Sequence, residues 1–149
     1  MIVKSLEQLN SLSCKVADQL IKNDCIFLIG EIGVGKTTFT RYLINYLQKK
    51  NGEKMTEVLS PTFNLLYEYD LKKLKIMHYD LYRIRDEEEL KHLGIFSGNE
   101  DTIKIIEWPQ LINIPSSDKL EMYIDYAENE NEREVKFKGS ERWKILNEL

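Results

Sequence analysis

Residues 30–37 read GEIGVGKT and fit the pattern G-x-x-x-x-G-K-[ST], which is typical of loops that bind nucleotide phosphates. Gly33 and Gly35 let the backbone curl without side chains in the way, so that a row of N–H groups faces the phosphates. Lys36 supplies a point charge to the outer phosphates, and the Thr37 hydroxyl is suited to bind Mg²⁺. The predicted contacts to the nucleotide are Gly33, Val34, Gly35, Lys36, Thr37 and Thr38.

The sequence on both sides of this loop has the pattern that a phosphate loop requires. Residues 25–29 (CIFLI) form a short apolar run, as expected of a buried parallel strand. Residues 38–49 carry apolar side chains at helical spacing and contain no Gly or Pro. Phosphates bound where this helix begins would meet free N–H groups and the positive end of the helix dipole. The order strand, glycine-rich loop, helix therefore favours a phosphate loop over an ordinary glycine-rich turn.

The rest of the chain predicts an α/β fold in one domain, residues 1–149. We expect a P-loop NTPase-like three-layer sandwich with a mixed parallel and antiparallel central sheet, because two pairs of strands read as hairpins. The predicted helices are 5–22, 38–49, 86–93 and 140–148. The predicted strands are 25–29, 63–69, 75–80, 102–106, 120–126 and 133–138, with a short extended piece at 57–59.

Composition limits the class of protein. The chain is 42% hydrophobic and 31% charged, and no apolar run approaches the length of a membrane span. The first residues lack the apolar segment of a signal peptide, so we expect a cytoplasmic protein without membrane contact. Cys14 and Cys25 have no CxxC spacing and form no cluster with His78 or His92, which indicates reduced packing residues and argues against a zinc site.

The charge of the chain argues against tight binding of nucleic acid. The net charge is −4 and the isoelectric point is about 5.3, whereas proteins that grip nucleic acid unaided usually present a basic face. The local concentration of basic residues consists of Lys72, Lys73, Lys75, Arg83 and Arg85. A solvated hairpin edge explains these residues at least as well as a binding surface does.

The second half of a phosphate site needs an acidic partner for Mg²⁺ and a group that positions the attacking water. Asp80 and Glu107 are candidates, because each lies at the end of a predicted strand. Pattern alone slightly favours Glu107, because its strand is the more apolar, whereas the strand that ends at Asp80 alternates. One carboxylate would belong to the metal shell and the other would orient water, and pattern alone leaves open which takes which role. Residues 60–62 (SPT) form a stiff corner around Pro61, from which Thr62 could sense the γ-phosphate as switch loops do.

Together these pieces resemble the TsaE family (older name YjeE), the bacterial ATPases of tRNA threonylcarbamoyladenosine synthesis. The phosphate loop by itself would select no family, but the order and spacing of several blocks agree over nearly the whole chain. The matching blocks are residues 30–41, 60–63 (SPTF), 78–83 (HYDLYR), 87–94, 107–109 (EWP) and 124–126.

The resemblance implies a role for each matching residue. Lys36 and Thr37 bind phosphate and Mg²⁺, and Asp80 belongs to the Mg²⁺ shell. Glu107 is the acidic residue near the γ-phosphate, so that the ambiguity left by pattern alone is resolved.

The same resemblance implies that Thr62 lies in a switch-like loop and that Trp108 lies close to the nucleotide. It further implies ATP and Mg²⁺ as cofactors and a TsaB–TsaD complex as the protein partner. The tRNA base would be modified by that partner, so that this chain would touch tRNA weakly or only indirectly.

Two other functions remain compatible with the residues. One is a small-metabolite kinase, which shares the fold. Such kinases usually need an arginine-rich lid, whereas the arginines here are scattered along the chain, at Arg41, Arg83, Arg85, Arg133 and Arg142. The other is a nucleotide-gated interaction module, in which slow turnover of ATP merely resets the binding state.

Overall fold

The computed structural model describes residues 1–96, 101–114 and 119–148, and it arranges seven strands in one sheet. The strands are β1 (Ile2–Val3), β2 (Cys25–Ile29), β3 (Leu66–Leu71), β4 (Leu74–Asp80), β5 (Thr102–Glu107), β6 (Leu120–Tyr126) and β7 (Arg133–Lys138). Their order across the sheet is β1-β7-β6-β2-β5-β4-β3.

The sheet is mixed, as the sequence predicts. The four central strands β6, β2, β5 and β4 run parallel to one another. The antiparallel pairs lie outside them, with β7 and β1 on one side and β3 on the other. The parallel centre consists of strands buried on both faces, which explains the continuous apolar run of residues 25–29.

The helices are α1 (Leu6–Gln19), α2 (Lys36–Lys50), α3 (Glu87–Lys91) and a 3₁₀ helix (Glu141–Glu148). Ser5 caps α1 by accepting the Gln8 N–H, and α1 ends three residues before its predicted limit. It ends there because Leu20 is extended and the Asp24 carboxylate accepts the next N–H, from Ile21, at 2.7 Å.

The two faces of the sheet are covered unequally. On one face α1, α2 and the 3₁₀ helix share a core with Leu12, Val16, Phe39, Leu43 and Trp143. The other face is covered by α3, of five residues, and by the loops that contribute Leu81, Ile84, Ile95 and Ile112. The predicted sandwich is therefore present, with one thick helical layer and one thin layer made largely of loops.

The helix predicted at 86–93 is shorter in the structure, Glu87–Lys91, and the strand predicted at 63–69 and the terminal helix also differ from the prediction. The strand predicted at 63–69 begins at Leu66, because Leu65 has a φ of +66° and its N–H donates to the Pro61 carbonyl at 2.6 Å. This tight turn prevents the extended backbone from starting earlier. The terminal helix is 3₁₀, and it buries Trp143 and Leu146 at the three-residue spacing of that helix.

Within the described residues, no helix is both long enough and apolar enough to cross a bilayer. Both cysteines are free, and Cys25 is buried, which raises the pKa of its thiol to about 12. A thiol with so high a pKa remains protonated at neutral pH, as expected of a packing residue.

Candidate nucleotide-binding site

The parallel centre of the sheet brings three functional segments to one edge. The phosphate loop follows β2, and Asp80 and Glu107 are the last residues of β4 and β5. Glu107 pairs in register with Leu28 of β2 on one side and with Asp80 of β4 on the other. Ligands of open α/β sheets bind at the carboxyl ends of the parallel strands, which is the edge that carries these groups.

The phosphate loop takes a conformation that favours glycine, as Gly30 and Gly35 show. A Cβ at Gly30 would overlap the carbonyl oxygen of Ile124 in the neighbouring strand β6. Gly35 is the N-cap of α2 and has a φ of +120°, which L side chains rarely adopt. The first turn of α2 lines the cavity, and the first N–H groups of a helix have no partner within their own helix.

Lys36 is held inside the loop and is only 5% exposed. Its Nζ donates to the carbonyls of Gly30 at 2.6 Å and Glu31 at 2.7 Å, and it lies 4.3 Å from the centre of the Trp108 ring. Burial lowers the pKa of Lys36, while the nearby negative charges of Glu107 and Asp80 act in the opposite direction. The site thus holds a partly desolvated amine, and the interaction of a cation with other charges is stronger where water is excluded.

Glu107 is the centre of a chain of hydrogen bonds. The Thr37 hydroxyl donates to Glu107, with Oγ1 at 2.9 Å from Oε1 and 3.1 Å from Oε2. On its other side, Oε2 lies 2.7 Å from His78 Nε2. Glu107 is 1% exposed and His78 is fully buried, so both side chains have a single well-defined environment.

Asp80 has a separate set of partners. Its Oδ2 accepts from the Thr62 hydroxyl at 2.8 Å, and Oδ1 accepts from the Tyr82 N–H at 3.0 Å. Ser60 and Thr62 share a hydrogen bond of 2.9 Å between their hydroxyls. Asp80 therefore connects the corner at residues 60–62 to the end of β4.

These groups surround one open cavity of about 230 Å³. Of the predicted site residues, all but Val34 line this cavity. Val34 is buried and lines an adjoining pocket, and its carbonyl accepts from Arg133 Nε at 2.9 Å. The residues that line the cavity are Ile32, Gly33, Gly35, Lys36, Thr37, Thr38, Ser60, Thr62, Asp80, Tyr82, Glu107 and Trp108.

Three residues beside the cavity had no predicted role. His78 precedes Asp80 by two positions in β4, so alternation along the strand would have placed both side chains on the same face. Tyr82 stacks against Trp108 with ring centroids 4.8 Å apart. Arg133 braces the phosphate loop from β7, and no local sequence signal marks a contact between residues so far apart in the chain.

Trp108 has an unusual backbone conformation, with a φ of +58°. Bulky side chains rarely occupy this region, and such strain costs on the order of 1–3 kcal/mol. It turns the indole ring towards Lys36 and Tyr82 at the mouth of the cavity. Trp143, by contrast, is 2% exposed and packs in the core beneath the Arg142 guanidinium.

We therefore expect the fluorescence of Trp108 to report nucleotide binding. Phosphates that attract Lys36 would change its cation–π contact with the Trp108 ring. Trp143 lies in the core beside α1, so its environment should not change when nucleotide binds. Intrinsic fluorescence should change on titration with ATP, survive in Trp143→Phe and vanish in Trp108→Phe. A signal that disappears only in Trp143→Phe would contradict this assignment.

The basic residues that are adjacent in sequence are divided in space. Lys72, Lys73 and Lys75 lie at the start of β4, while Arg83 and Arg85 follow its end. A strand of this length separates the two groups by about 20 Å. Lys75 also lies 3.4 Å from Glu68 and 3.6 Å from Asp70, so that its charge is partly balanced. The sequence suggested one cluster of basic residues, but the structure divides these residues into two smaller clusters.

A glycine-rich loop between a central parallel strand and a helix, with two acidic residues at the neighbouring strand ends, defines a P-loop NTPase-like protein. The family model of "Threonylcarbamoyl adenosine biosynthesis protein TsaE" matches residues 3–135. The chain therefore belongs to the TsaE family.

Curated relatives and a solved structure agree with this assignment. The relatives carry the name "tRNA threonylcarbamoyladenosine biosynthesis protein TsaE". That of Rickettsia conorii is 38% identical over 74% of this chain, and that of Bacillus subtilis is 33% identical over 76% of it. The matched region spans 61% of the Rickettsia relative and 68% of the Bacillus one. A crystal structure of Bacillus subtilis YdiB superposes with a TM-score of 0.69 and 26% identity, covering 99% of this chain and 90% of that one.

Proposed function

We propose that this protein binds ATP with Mg²⁺ and hydrolyses it slowly, in support of the threonylcarbamoyladenosine modification of tRNA by a TsaB–TsaD complex in the cytoplasm. The observation that carries the proposal is the convergence of Lys36, Thr37, Asp80 and Glu107 on one cavity at the start of α2. A buried cation, a hydroxyl and two carboxylates are the groups that phosphoryl transfer requires. Membership of the TsaE family supplies the link to tRNA modification.

The residues present fit Mg²⁺ bound together with a nucleotide. The Thr37 hydroxyl and the Asp80 carboxylate would hold the ion, whose charge would neutralise the phosphates. Among the described residues, no group of three or more His, Cys, Asp and Glu side chains could hold a metal ion. A bound Mg²⁺ would therefore take the rest of its ligands from phosphate oxygens and water, as this ion commonly does.

Glu107 is the residue that we assign to the reaction centre. Its carboxylate lies next to the Thr37 hydroxyl. With the outer phosphates bound in this cavity, as we propose, it could orient a water for attack on the γ-phosphate. Thr62 would respond to the same phosphate, because its hydroxyl donates a hydrogen bond to Asp80 and the corner at residues 60–62 borders the cavity. Lys36 would stabilise the charge that develops on the transferred group.

The proposed function is tested by measuring ATP hydrolysis with and without TsaB and TsaD. We expect slow turnover by the isolated protein and clear stimulation by the two partners together. The Lys36→Ala variant, assayed under the same conditions, sets the background. Unchanged hydrolysis on addition of the partners would contradict the proposed partnership. Efficient transfer of phosphate to a small acceptor without any partner would instead favour a kinase.

For tRNA, we expect negligible binding by the isolated protein at about 0.15 M salt. Two small basic groups at opposite ends of one strand offer few phosphate contacts, which implies weak binding with a shallow salt dependence. A tRNA titration should therefore show binding only when TsaB–TsaD is present. Tight binding by the isolated chain would contradict this expectation.

The segment from Lys72 to Arg85 is our candidate for contacts with the partner complex. Its carboxyl end lies beside the cavity, where Asp80 and Tyr82 line the wall, so a partner there could bias the Mg²⁺ site. The structure offers a matched pair of variants with equal changes in charge. Arg83→Glu with Arg85→Glu should reduce stimulation by the partners, whereas Lys72→Glu with Lys73→Glu at the far end of β4 should reduce it less.

A further inference from the structure

His78 and Glu107 form a buried polar pair, and neither His78 nor this contact has a role in the function proposed above. They lie on adjacent parallel strands. The side chains of His78, Ile76 and Ile105 lie on the same face of the sheet, which is the face covered by α2. Both side chains are withdrawn from solvent, at 0% and 1% exposure. A buried polar pair is costly unless its hydrogen bonds are satisfied.

The hydrogen bonds of the imidazole identify which nitrogen carries the proton. Nε2 lies 2.7 Å from Glu107 Oε2, whereas Nδ1 is buried and has no hydrogen-bond partner among the described residues. An unprotonated Nε2 would direct a lone pair at a carboxylate oxygen and leave a buried N–H unpaired on the other side. A proton on Nε2 avoids both penalties, because it is donated to the carboxylate.

We propose that His78 is a positioning residue, whose Nε2–H donates to Glu107 Oε2 and thereby sets the direction in which that carboxylate faces the nucleotide. The Thr37 hydroxyl holds the same carboxylate from the other side. A Thr37 hydroxyl that bound Mg²⁺ through an oxygen lone pair could still donate its proton to Glu107, so that Thr37 and His78 would hold the carboxylate from two sides. The effect of His78 on turnover rests on the proposed ATP hydrolysis. The hydrogen bond from His78 to Glu107 does not depend on that function.

Three variants at position 78 separate hydrogen-bond donation from packing. The amide nitrogen of a glutamine reaches about as far from Cβ as Nε2 does, whereas that of an asparagine reaches only the position of Nδ1. His78→Leu fills the space without a donor. We expect turnover to fall roughly 10- to 100-fold in His78→Asn and His78→Leu, because misplacement of a catalytic group has effects of this size. Turnover in His78→Gln should exceed that of the other two about tenfold or more.

Affinity for ATP provides the second measurement. Because Glu107 is assigned to the reaction centre, the dissociation constant for ATP should stay within about threefold of wild type in all three variants. Turnover, by contrast, should differ between them. A purely structural role predicts the opposite ranking, with His78→Leu close to wild type and His78→Gln the most disturbed. That ranking, or equal turnover in His78→Gln and His78→Asn, would overturn the proposal.

A measurement on the wild-type protein keeps the proposal falsifiable if the variants fail to fold. Nitrogen-15 NMR of the histidine ring should show a proton on Nε2, and the resonance of that proton should shift upfield or broaden by exchange in Glu107→Ala. An unprotonated Nε2 in the wild type would overturn the assignment. Absence of ATP hydrolysis in wild type with its partners would refute the proposed function and leave this NMR test in force.

Discussion

In Lys36→Ala, productive binding of ATP should be lost. The substitution removes the buried ammonium group that we expect to contact the outer phosphates, a charge-assisted interaction worth roughly 1.5–3 kcal/mol or more. The dissociation constant should therefore rise at least tenfold, since about 1.4 kcal/mol corresponds to a factor of ten. Isothermal titration calorimetry with ATP and Mg²⁺ measures this change directly.

Two further variants separate the charge of Lys36 from its structural contacts. The ammonium group also donates to the carbonyls of Gly30 and Glu31, so its removal can loosen the loop. Lys36→Met retains an aliphatic stem of similar length and should lose affinity like Lys36→Ala, with less loss of thermal stability. Lys49→Ala, at the exposed end of α2, is the matched control and should bind as wild type does. Unchanged affinity in a folded Lys36→Ala protein would refute the phosphate role.

Asp80→Asn and Glu107→Gln should fail in different ways. Loss of the Asp80 charge should weaken the binding of ATP in the presence of Mg²⁺ and change it little in the presence of EDTA. Loss of the Glu107 charge should lower turnover roughly 100-fold or more, the range for removal of a general base, with a smaller effect on affinity. Calorimetry with and without Mg²⁺, combined with steady-state hydrolysis, distinguishes the two outcomes.

The contact between Thr37 and Glu107 makes this comparison a sharp test of the assigned roles. In the structure the Thr37 hydroxyl donates a hydrogen bond to Glu107, while Asp80 accepts one from the Thr62 hydroxyl. If Glu107→Gln abolishes the Mg²⁺ dependence and Asp80→Asn leaves it intact, the two carboxylates have exchanged the roles given above. Glu88→Gln, an exposed carboxylate of α3, should leave binding and turnover unchanged and serves as the control.

Much of the fold was predictable because its signals are local. The apolar run of residues 25–29, the glycine spacing of the loop and the helical periodicity after it each depend on neighbours in the chain. Turn and hairpin patterns likewise indicated a mixed sheet. The limits of Leu66–Leu71 were harder to place, since the turn before them depends on the backbone of Leu65 and on its bond to Pro61.

The sequence by itself determined the phosphate loop, the α/β class and, through several spaced blocks, the resemblance to the TsaE family. It also marked Asp80 and Glu107 as acidic residues at strand ends. Only the tertiary structure decided which groups meet. The register of β2, β4 and β5 brings Glu107 between Thr37 and His78, and the length of β4 divides the basic residues into two groups. The physical reason is that hydrogen-bond partners are chosen across strands, by register and packing, which neighbouring residues in the chain do not encode.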